Sequence, residues 1–214
     1  MNYKTFKTFC DIIVSFSLII LLSPLLLLLS IVILLSSPGP IIYLGTRAGL
    51  NNKPFKIFKF RSMVHNAESL GGFSTAIRDP RFTNVGRFIR RFKLDELPQL
   101  FNILTGDMSL VGPRPQVFYY TNKYIGEQKN ILSVKPGITD ISSIHFSDMD
   151  SVLGDVDVDR TYERDIEPKK NALRVKYISN ISLSLDLLIL ICTLFSLFKI
   201  NLHETLLHSY FEDI

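Results

Sequence analysis

The sequence has no tryptophan, and its two cysteines, Cys10 and Cys192, each sit inside an apolar run. That excludes a disulfide framework and a zinc site built on closely spaced cysteine ligands. The four histidines, His65, His145, His203 and His208, fall at no metal-binding spacing and read as packing or surface residues. There is no G-x-x-x-x-G-K-S/T loop and no G-x-G-x-x-G fingerprint, so any nucleotide must be held outside the two usual glycine-rich cradles. No segment repeats with a period of about 20 to 50 residues, and 214 residues suffice for one ordinary domain plus an anchor. An acidic excess is missing too, since 24 Lys and Arg stand against 20 Asp and Glu, a net charge of +4. The basic residues group beside apolar stretches, which points to an anionic surface or anionic ligands, a membrane rather than nucleic acid.

The strongest positive signal is the run from Ile12 to Leu35, where only Ser15, Ser17, Ser23, Pro24 and Ser30 interrupt large apolar residues. It is long enough to cross a bilayer. It ends in Ser36-Ser37-Pro38-Gly39-Pro40 with no A-x-A-like cleavage motif, so it reads as a retained anchor. Lys4 and Lys7 precede it and Arg47, Lys53 and Lys56 follow it, so the positive-inside tendency does not send the two ends to opposite sides. Pro24 lacks an amide hydrogen mid-segment, and Ser23 can satisfy a freed backbone group. The residues leave two options open here, a helix-break-helix hairpin or a kinked spanning helix.

Beyond the anchor, Ile41 to Arg61 reads as short extended segments around a turn at Gly49-Leu50-Asn51-Asn52. Ser62 to Leu70 can form a short helix, and Gly71-Gly72 begins a loop reaching Asp79-Pro80-Arg81. From Thr83, Val85, Phe88, Ile89 and Phe92 fall at helical spacing, with Arg87, Arg90, Arg91 and Lys93 around the remaining circumference. That is a basic amphipathic helix, suited to an anionic membrane or to packing on a core. Asp95 can cap a following helix with Leu97, Leu100, Phe101 and Leu104 on one face, Pro98 in its first turn and Gly106 at its end. The segment Asp107 to Pro115 reads as a rigid turn that fixes Arg114 near that helix. Ile181 to Ile200 is apolar, yet Asp186 inside it favours a partly embedded helix over a spanning one. The acidic stretch Asp148 to Asp159 reads as a solvated connection that can shape a substrate entrance.

An adjacent Asp-Glu pair is a common surface dipeptide, but this one stands at an expected helix start with Lys59, Arg90 and Arg114 as potential cationic neighbours. Phosphoryl transfer needs that combination: one carboxylate as nucleophile, another to hold a divalent cation, for which Mg²⁺ is the natural hard ion.

The block from Asp79 to Pro115, with Lys-Leu-Asp95-Glu96-Leu-Pro-Gln-Leu-Phe-Asn at its centre and Ser-Leu-Val-Gly-Pro-Arg114-Pro at its end, strongly resembles the bacterial sugar transferase family, the monotopic polyprenyl-phosphate phosphoglycosyl transferases. The resemblance extends to Gly39-Pro40, to Lys56-Ile-Phe-Lys-Phe-Arg-Ser-Met63, to Lys135-Pro-Gly-Ile-Thr139 and to Tyr177 to Asp186. It implies a mainly α fold with short β segments, embedded in the membrane by an N-terminal re-entrant helix hairpin broken at Ser23-Pro24 and by interfacial amphipathic helices. It implies an anchor over residues 1–38, a catalytic domain over 39–200 and a tail over 201–214. By the same resemblance, Asp95 attacks the β-phosphorus of a UDP-sugar, releases UMP and carries the phosphosugar to undecaprenyl phosphate. Glu96 then binds Mg²⁺, and Lys59, Arg90 and Arg114 contact phosphate. The resemblance places the enzyme at the cytoplasmic face of the bacterial inner membrane, on anionic lipid, opening a surface polysaccharide or glycoprotein glycan pathway. Downstream glycosyltransferases and a second copy of the chain are compatible partners.

Two departures stand out. Many members follow Pro-Gly-Ile-Thr with Gly and then an Asn-Gly-Arg stretch, whereas here Asp140 follows Thr139 and no such arginine appears. Arg174 falls where many members have an acidic residue. Two alternatives are a transferase with a different phospholipid acceptor and a catalytically inactive scaffold bound to anionic lipid.

Overall fold

The computed structural model describes residues 3–67, 79–146, 158–197, 200 and 206–207. Helix α1 (Tyr3–Ser36) is a single helical element of 34 residues with Pro24 inside it, about 51 Å long at 1.5 Å per residue. It is the one described helix long and apolar enough to cross a membrane. Two separate helices, expected from a break at Ser23-Pro24, are not what the backbone shows. Pro24 cannot donate to the carbonyl four residues back, that of Ile20, and the Ser23 hydroxyl donates to that same oxygen at 2.8 Å. The helix therefore passes the proline with its backbone acceptor satisfied.

Strands β1 (Ile42–Ala48) and β2 (Pro54–Phe60) pair antiparallel with Ile42 opposite Phe60 and Ala48 opposite Pro54. A 3-10 turn at Leu50–Asn52 joins them, with Asn51 and Asn52 both in the left-handed region. This is the extended pair the sequence predicts. Along β2 the side chains alternate, so Lys59 shares the face of the buried Phe55 and Ile57. Residues 62–66 form no helix, since Met63 bridges to Phe82 and a turn follows. Residues 68–70 of the expected Ser62–Leu70 helix, and most of the loop from Gly71, lie outside the described residues.

Helix α2 (Asn84–Arg91) starts where the sequence places it: Thr83 Oγ1 accepts from the Gly86 amide at 2.8 Å. Ile89 is fully buried against Leu29, Ile33 and Phe60, while Phe88 and Phe92 face outward with their rings 4.9 Å apart. Helix α3 (Gln99–Leu104) buries Leu100 and Ile103 against Phe55, Ile57 and Met108, and leaves Phe101 exposed. Gly106 ends the segment at φ +87°, as expected of a left-handed stop.

Strands β3 (Ser109–Val111) and β4 (Gly137–Thr139) pair parallel. Just past β3 the two backbones nearly touch: a Cβ on Gly137 would lie 2.1 Å from the Gly112 nitrogen, and one on Gly112 2.6 Å from the Lys135 carbonyl oxygen. Only glycine permits that approach, and it fixes the root of the loop carrying Arg114. Helices α4 (Phe118–Thr121), α5 (Ile141–His145), α6 (Val158–Thr161), α7 (Glu167–Ser179) and α8 (Leu183–Leu197) complete the body. A core of Val111, Ile144, Leu173, Tyr177, Leu185 and Ile189 joins α5, α7 and α8 to β3. Residues 147–157, most of the acidic stretch, are outside the described set, as is the C-terminal tail apart from 206–207.

Both ends of α1 dock on this body. Near its start, Tyr3 Oη and Lys7 Nζ each lie 2.6 Å from Asp186 Oδ2, and Asp11 accepts from Ser109 Oγ at 2.5 Å. Near its end, Leu29 and Ile33 pack on Phe60 and Ile89, and Arg61 Nη2 donates to the Ser37 carbonyl at 2.6 Å. Between them Leu18, Ile19 and Leu22 pack on Phe55, Leu100, Ile103 and Met108, while Leu21, Leu27 and Leu28 on the opposite face are exposed.

Candidate active site

Lys93 turns the chain after α2 by taking a left-handed conformation, φ +58°. A 3-10 turn at Leu94–Glu96 follows, and α3 begins three residues later at Gln99. Asp95 is thus not a helix cap, and a six-residue α3 has too little dipole to organise an anion site. Leu94 and Leu97, three positions apart, both pack on the cluster of Leu29, Ile33, Phe60 and Ile89, which leaves Asp95 and Glu96 on the other side of the turn.

Four of the expected residues come together there. Glu96 Oε1 accepts from Lys59 Nζ at 3.0 Å and from Arg114 Nη2. Arg114 is held in turn by the Ile138 carbonyl, 3.3 Å from Nη1, and by Asp140, whose Oδ2 accepts from the Arg114 amide at 3.1 Å. Asp95 is 4% exposed, and its Oδ1 has no hydrogen-bond partner. Burial, then the charge of Glu96, raises its carboxyl above the ordinary range, although Lys59, Arg90 and Arg114 pull the other way. Burial would raise Glu96 as well, but Arg114 and then Lys59 outweigh it and hold that carboxyl below its usual range. Adjacent carboxylates are thereby driven in opposite directions, a pattern of functional sites.

Arg90 sits at one remove. Its guanidinium lies over the Phe82 ring at 4.9 Å, and its charge still reaches Asp95. Ser23 and Pro24 belong to α1 and take no part in this cluster. Among the described residues no three His, Cys, Asp or Glu side chains gather as a metal site. The oxygens suited to a hard cation are those of Asp95 and Glu96, and two carboxylates supplemented by phosphate oxygens and water are a usual set for Mg²⁺.

Two supporting residues escape sequence reasoning. Asn102, fully buried, accepts from the Phe58 amide at 2.9 Å and donates to the Lys56 carbonyl at 2.8 Å, tying α3 to β2 and so Asp95 to Lys59. An asparagine between buried Leu100 and Ile103 was its visible sign. Asp140 caps α5 by accepting from the Ser143 amide at 2.6 Å, and its Oδ2 meets Arg174 Nε at 3.3 Å. Arg174 is 1% exposed and also reaches Asn171 at 2.9 Å and Glu167 at 3.4 Å. The two departures from the family pattern, Asp140 and Arg174, are each other's partners.

The description of bacterial sugar transferases matches residues 2–200. The chain is 38% identical over 196 residues to the UDP-N-acetylgalactosamine-undecaprenyl-phosphate N-acetylgalactosaminephosphotransferase of Aeromonas hydrophila, covering 90% of this chain and 43% of that protein. It is 36% identical over 188 residues to the UDP-glucose:undecaprenyl-phosphate glucose-1-phosphate transferase of Escherichia coli (strain K12), covering 86% of this chain and 38% of that one. It is 41% identical over 168 residues to the undecaprenyl-phosphate galactose phosphotransferase of Salmonella typhimurium, covering 72% and 34%. The chain therefore spans between 34% and 43% of the length of these curated relatives. With the match running through the Asp95 turn, the Arg114 loop and the helices behind them, the chain belongs to the bacterial sugar transferase family.

Proposed function

We propose that the protein transfers a sugar-1-phosphate from a UDP-sugar to polyprenyl phosphate, with Asp95 carrying the phosphosugar in between. The observation that carries this reading is the buried Asp95 carboxylate with an unpartnered oxygen, set beside a Glu96 held ionised by two cations. An Asp95 oxygen attacks the β-phosphorus, the bond from that phosphorus to the UMP oxygen breaks, and UMP leaves. A phosphate oxygen of the lipid then attacks the same phosphorus and returns the carboxylate. Lys59 and Arg114 keep further N–H donors beyond their bonds to Glu96 with which to meet phosphate oxygens. Mg²⁺ held by Glu96 would offset charge on those oxygens. A scaffold without catalysis has no use for a buried carboxylate left without a partner, at a cost of about 1–3 kcal/mol.

The same proposal places the body at one membrane face. An exposed apolar band on α1, Phe88 and Phe92 on α2, and Leu187, Ile191 and Leu194 on α8 need an apolar surrounding. A spanning α1 would have hydrocarbon around its middle, whereas Lys7, Leu18, Leu22, Leu29 and Ser37 along its length all meet the same folded body with its buried ion pairs. That supports a re-entrant α1 bent at Pro24, with the cytoplasmic face of the inner membrane as the side where UDP-sugars are available. Labels at Asn2 and Asn52 then report the same side, and opposite sides would remove the re-entrant reading.

The deciding assay is UMP release from purified protein given a panel of UDP-sugars, Mg²⁺ and undecaprenyl phosphate, with chelator and lipid-omission controls. Lipid- and metal-dependent release with one sugar supports the reaction and names the donor. Silence across the panel with folded protein returns the scaffold reading.

A further inference from the structure

One buried cation has no part in the centre just described. Lys170 lies on α7 one turn before Arg174 and is 5% exposed. Among the described residues its ammonium makes no hydrogen bond and no ion pair, and its contacts are two ring faces, Tyr162 at 5.4 Å and Phe146 at 5.7 Å. The charged groups around it come from three elements: Arg174 and Glu167 on its own helix, Asp140 at the start of α5, and Arg114 from the loop after β3. Both neighbouring carboxylates already accept from Arg174. Burial first, then Arg174, push the Lys170 ammonium down to about 8. A buried ammonium between aromatic faces, beside two guanidinium groups and with three N–H donors unused, is short of one anion.

We propose that Lys170, walled by Phe146 and Tyr162, is an anion subsite that receives a phosphate group of one of the two substrates on the Arg114 side of the reaction centre. The proposal rests on the function given above, and phosphate is its shared chemistry: the nucleotide phosphate that leaves in UMP, or the phosphate of the lipid acceptor. Aromatic walls exclude water from such a contact and strengthen a charge-assisted hydrogen bond to oxygen. The competing account is packing alone, in which the methylene stem matters and the charge does not.

The test compares the full chain with Lys170→Met, which keeps the stem, and Lys170→Arg, which keeps the charge. Direct binding of UMP and of a short-chain polyprenyl phosphate is measured alongside the KM for each substrate. Lys170→Met is expected to weaken one ligand about tenfold or more, the range of a charge-assisted contact, with Lys170→Arg retaining most of the affinity. Loss of UMP binding with a raised donor KM assigns the nucleotide phosphate, and loss confined to the lipid assigns the acceptor. A second readout does not depend on how Lys170→Met folds. From pH 7.5 upward the wild-type affinity for the assigned ligand falls as the ammonium deprotonates, whereas Lys170→Arg holds its affinity. Arg114, Arg174 and the Tyr162 phenol are all pushed up, out of this window, and Asp140 is held down. His145 stands edge-on to Phe146, and its variant His145→Gln keeps the same pH course. Unchanged binding of both ligands in Lys170→Met overturns the proposal, as does the same pH course in wild type and Lys170→Arg. Binding is read without turnover, so an inactive Asp95→Asn protein that still binds UMP separates failure of the chemistry from failure of the subsite. Wild-type protein that binds neither ligand overturns both.

Discussion

On one side of Arg114, Asp95 and Glu96 face Lys59 with one carboxylate oxygen left without a partner. On the other side, Asp140 has both oxygens engaged, by Ser142, Ser143, Arg174 and the Arg114 amide. The two clusters use the same residue types at similar burial, so burial and charge do not by themselves separate a reactive group from a structural one. Completeness does. A fully bonded buried pair is rigid, and removing one partner leaves an uncompensated charge. An incompletely bonded carboxylate costs stability and keeps an oxygen for something that arrives later. Arg114 belongs to both, its side chain to the incomplete cluster and its backbone to the complete one, so the second positions the first.

The contrast can be broken most directly at Asp95. Asp95→Asn is expected to lower UMP release by at least ~10³-fold, about 4 kcal/mol in the barrier, while leaving the unfolding transition unchanged or improved. Equal losses of activity and stability would mean that Asp95 is a structural group like Asp140. At Arg174 the expectation reverses. Arg174→Met should cost about 3–5 kcal/mol of stability in denaturant titration, and activity should fall with the folded fraction. A smaller loss in the double variant Arg174→Met with Asp140→Ala would show that the unpaired charge, not lost packing, is the cause.

Acid separates the clusters without mutation. Asp95 is raised, so the ionised form that the proposed attack requires is lost as pH falls through a value above the ordinary aspartate range. Asp140 is depressed, with Arg174 the leading counterweight to its burial. Its contribution to stability is therefore present above the unfolded value and lost only as pH falls through the lower folded one. Activity should disappear first and structure later, as read by a pH series of UMP release beside circular dichroism. Lys59→Met removes a charge that lowers Asp95, and should move the activity limb to higher pH while the acid-unfolding midpoint stays put. The smallest expected effect is Thr83→Ala, remote from both clusters, which should cost about 1 kcal/mol of stability through the lost cap and leave both pH midpoints unchanged.

What the sequence makes legible follows the same division. The Asp95–Glu96 pair, Lys59 and Arg114 can be named from the chain, and β1, β2, α2 and the stop at Gly106 can be drawn from extended segments around a turn, helical periodicity and a glycine. The turn holding Asp95 is misread as a helix start, because a capping residue followed by Pro98 satisfies the rule for one. The left-handed Lys93 before it, which the sequence does not mark, starts a 3-10 turn there instead. Asn102, Asp140 and Arg174 stay hidden as supports because their partners lie 46, 26 and 34 positions away at Lys56, Arg114 and Asp140. The helical spacing in α2 names its apolar residues but does not divide them: Val85 and Ile89 turn inward, and Phe88 and Phe92 outward.

The bond from Ser23 to the Ile20 carbonyl has a bearing on how the protein is made. It repairs the gap left by Pro24 with a neighbour in sequence, drawing on nothing from the catalytic body. Asp186 and Arg61, which hold the two ends of α1, lie downstream of it in the chain. If α1 is the anchor proposed above, it can enter lipid during synthesis from the N-terminus with the Ile20 carbonyl already satisfied, before its contacts with the body exist. The body would then fold around an anchor already in place, its closing contacts acting as a latch on a completed insertion.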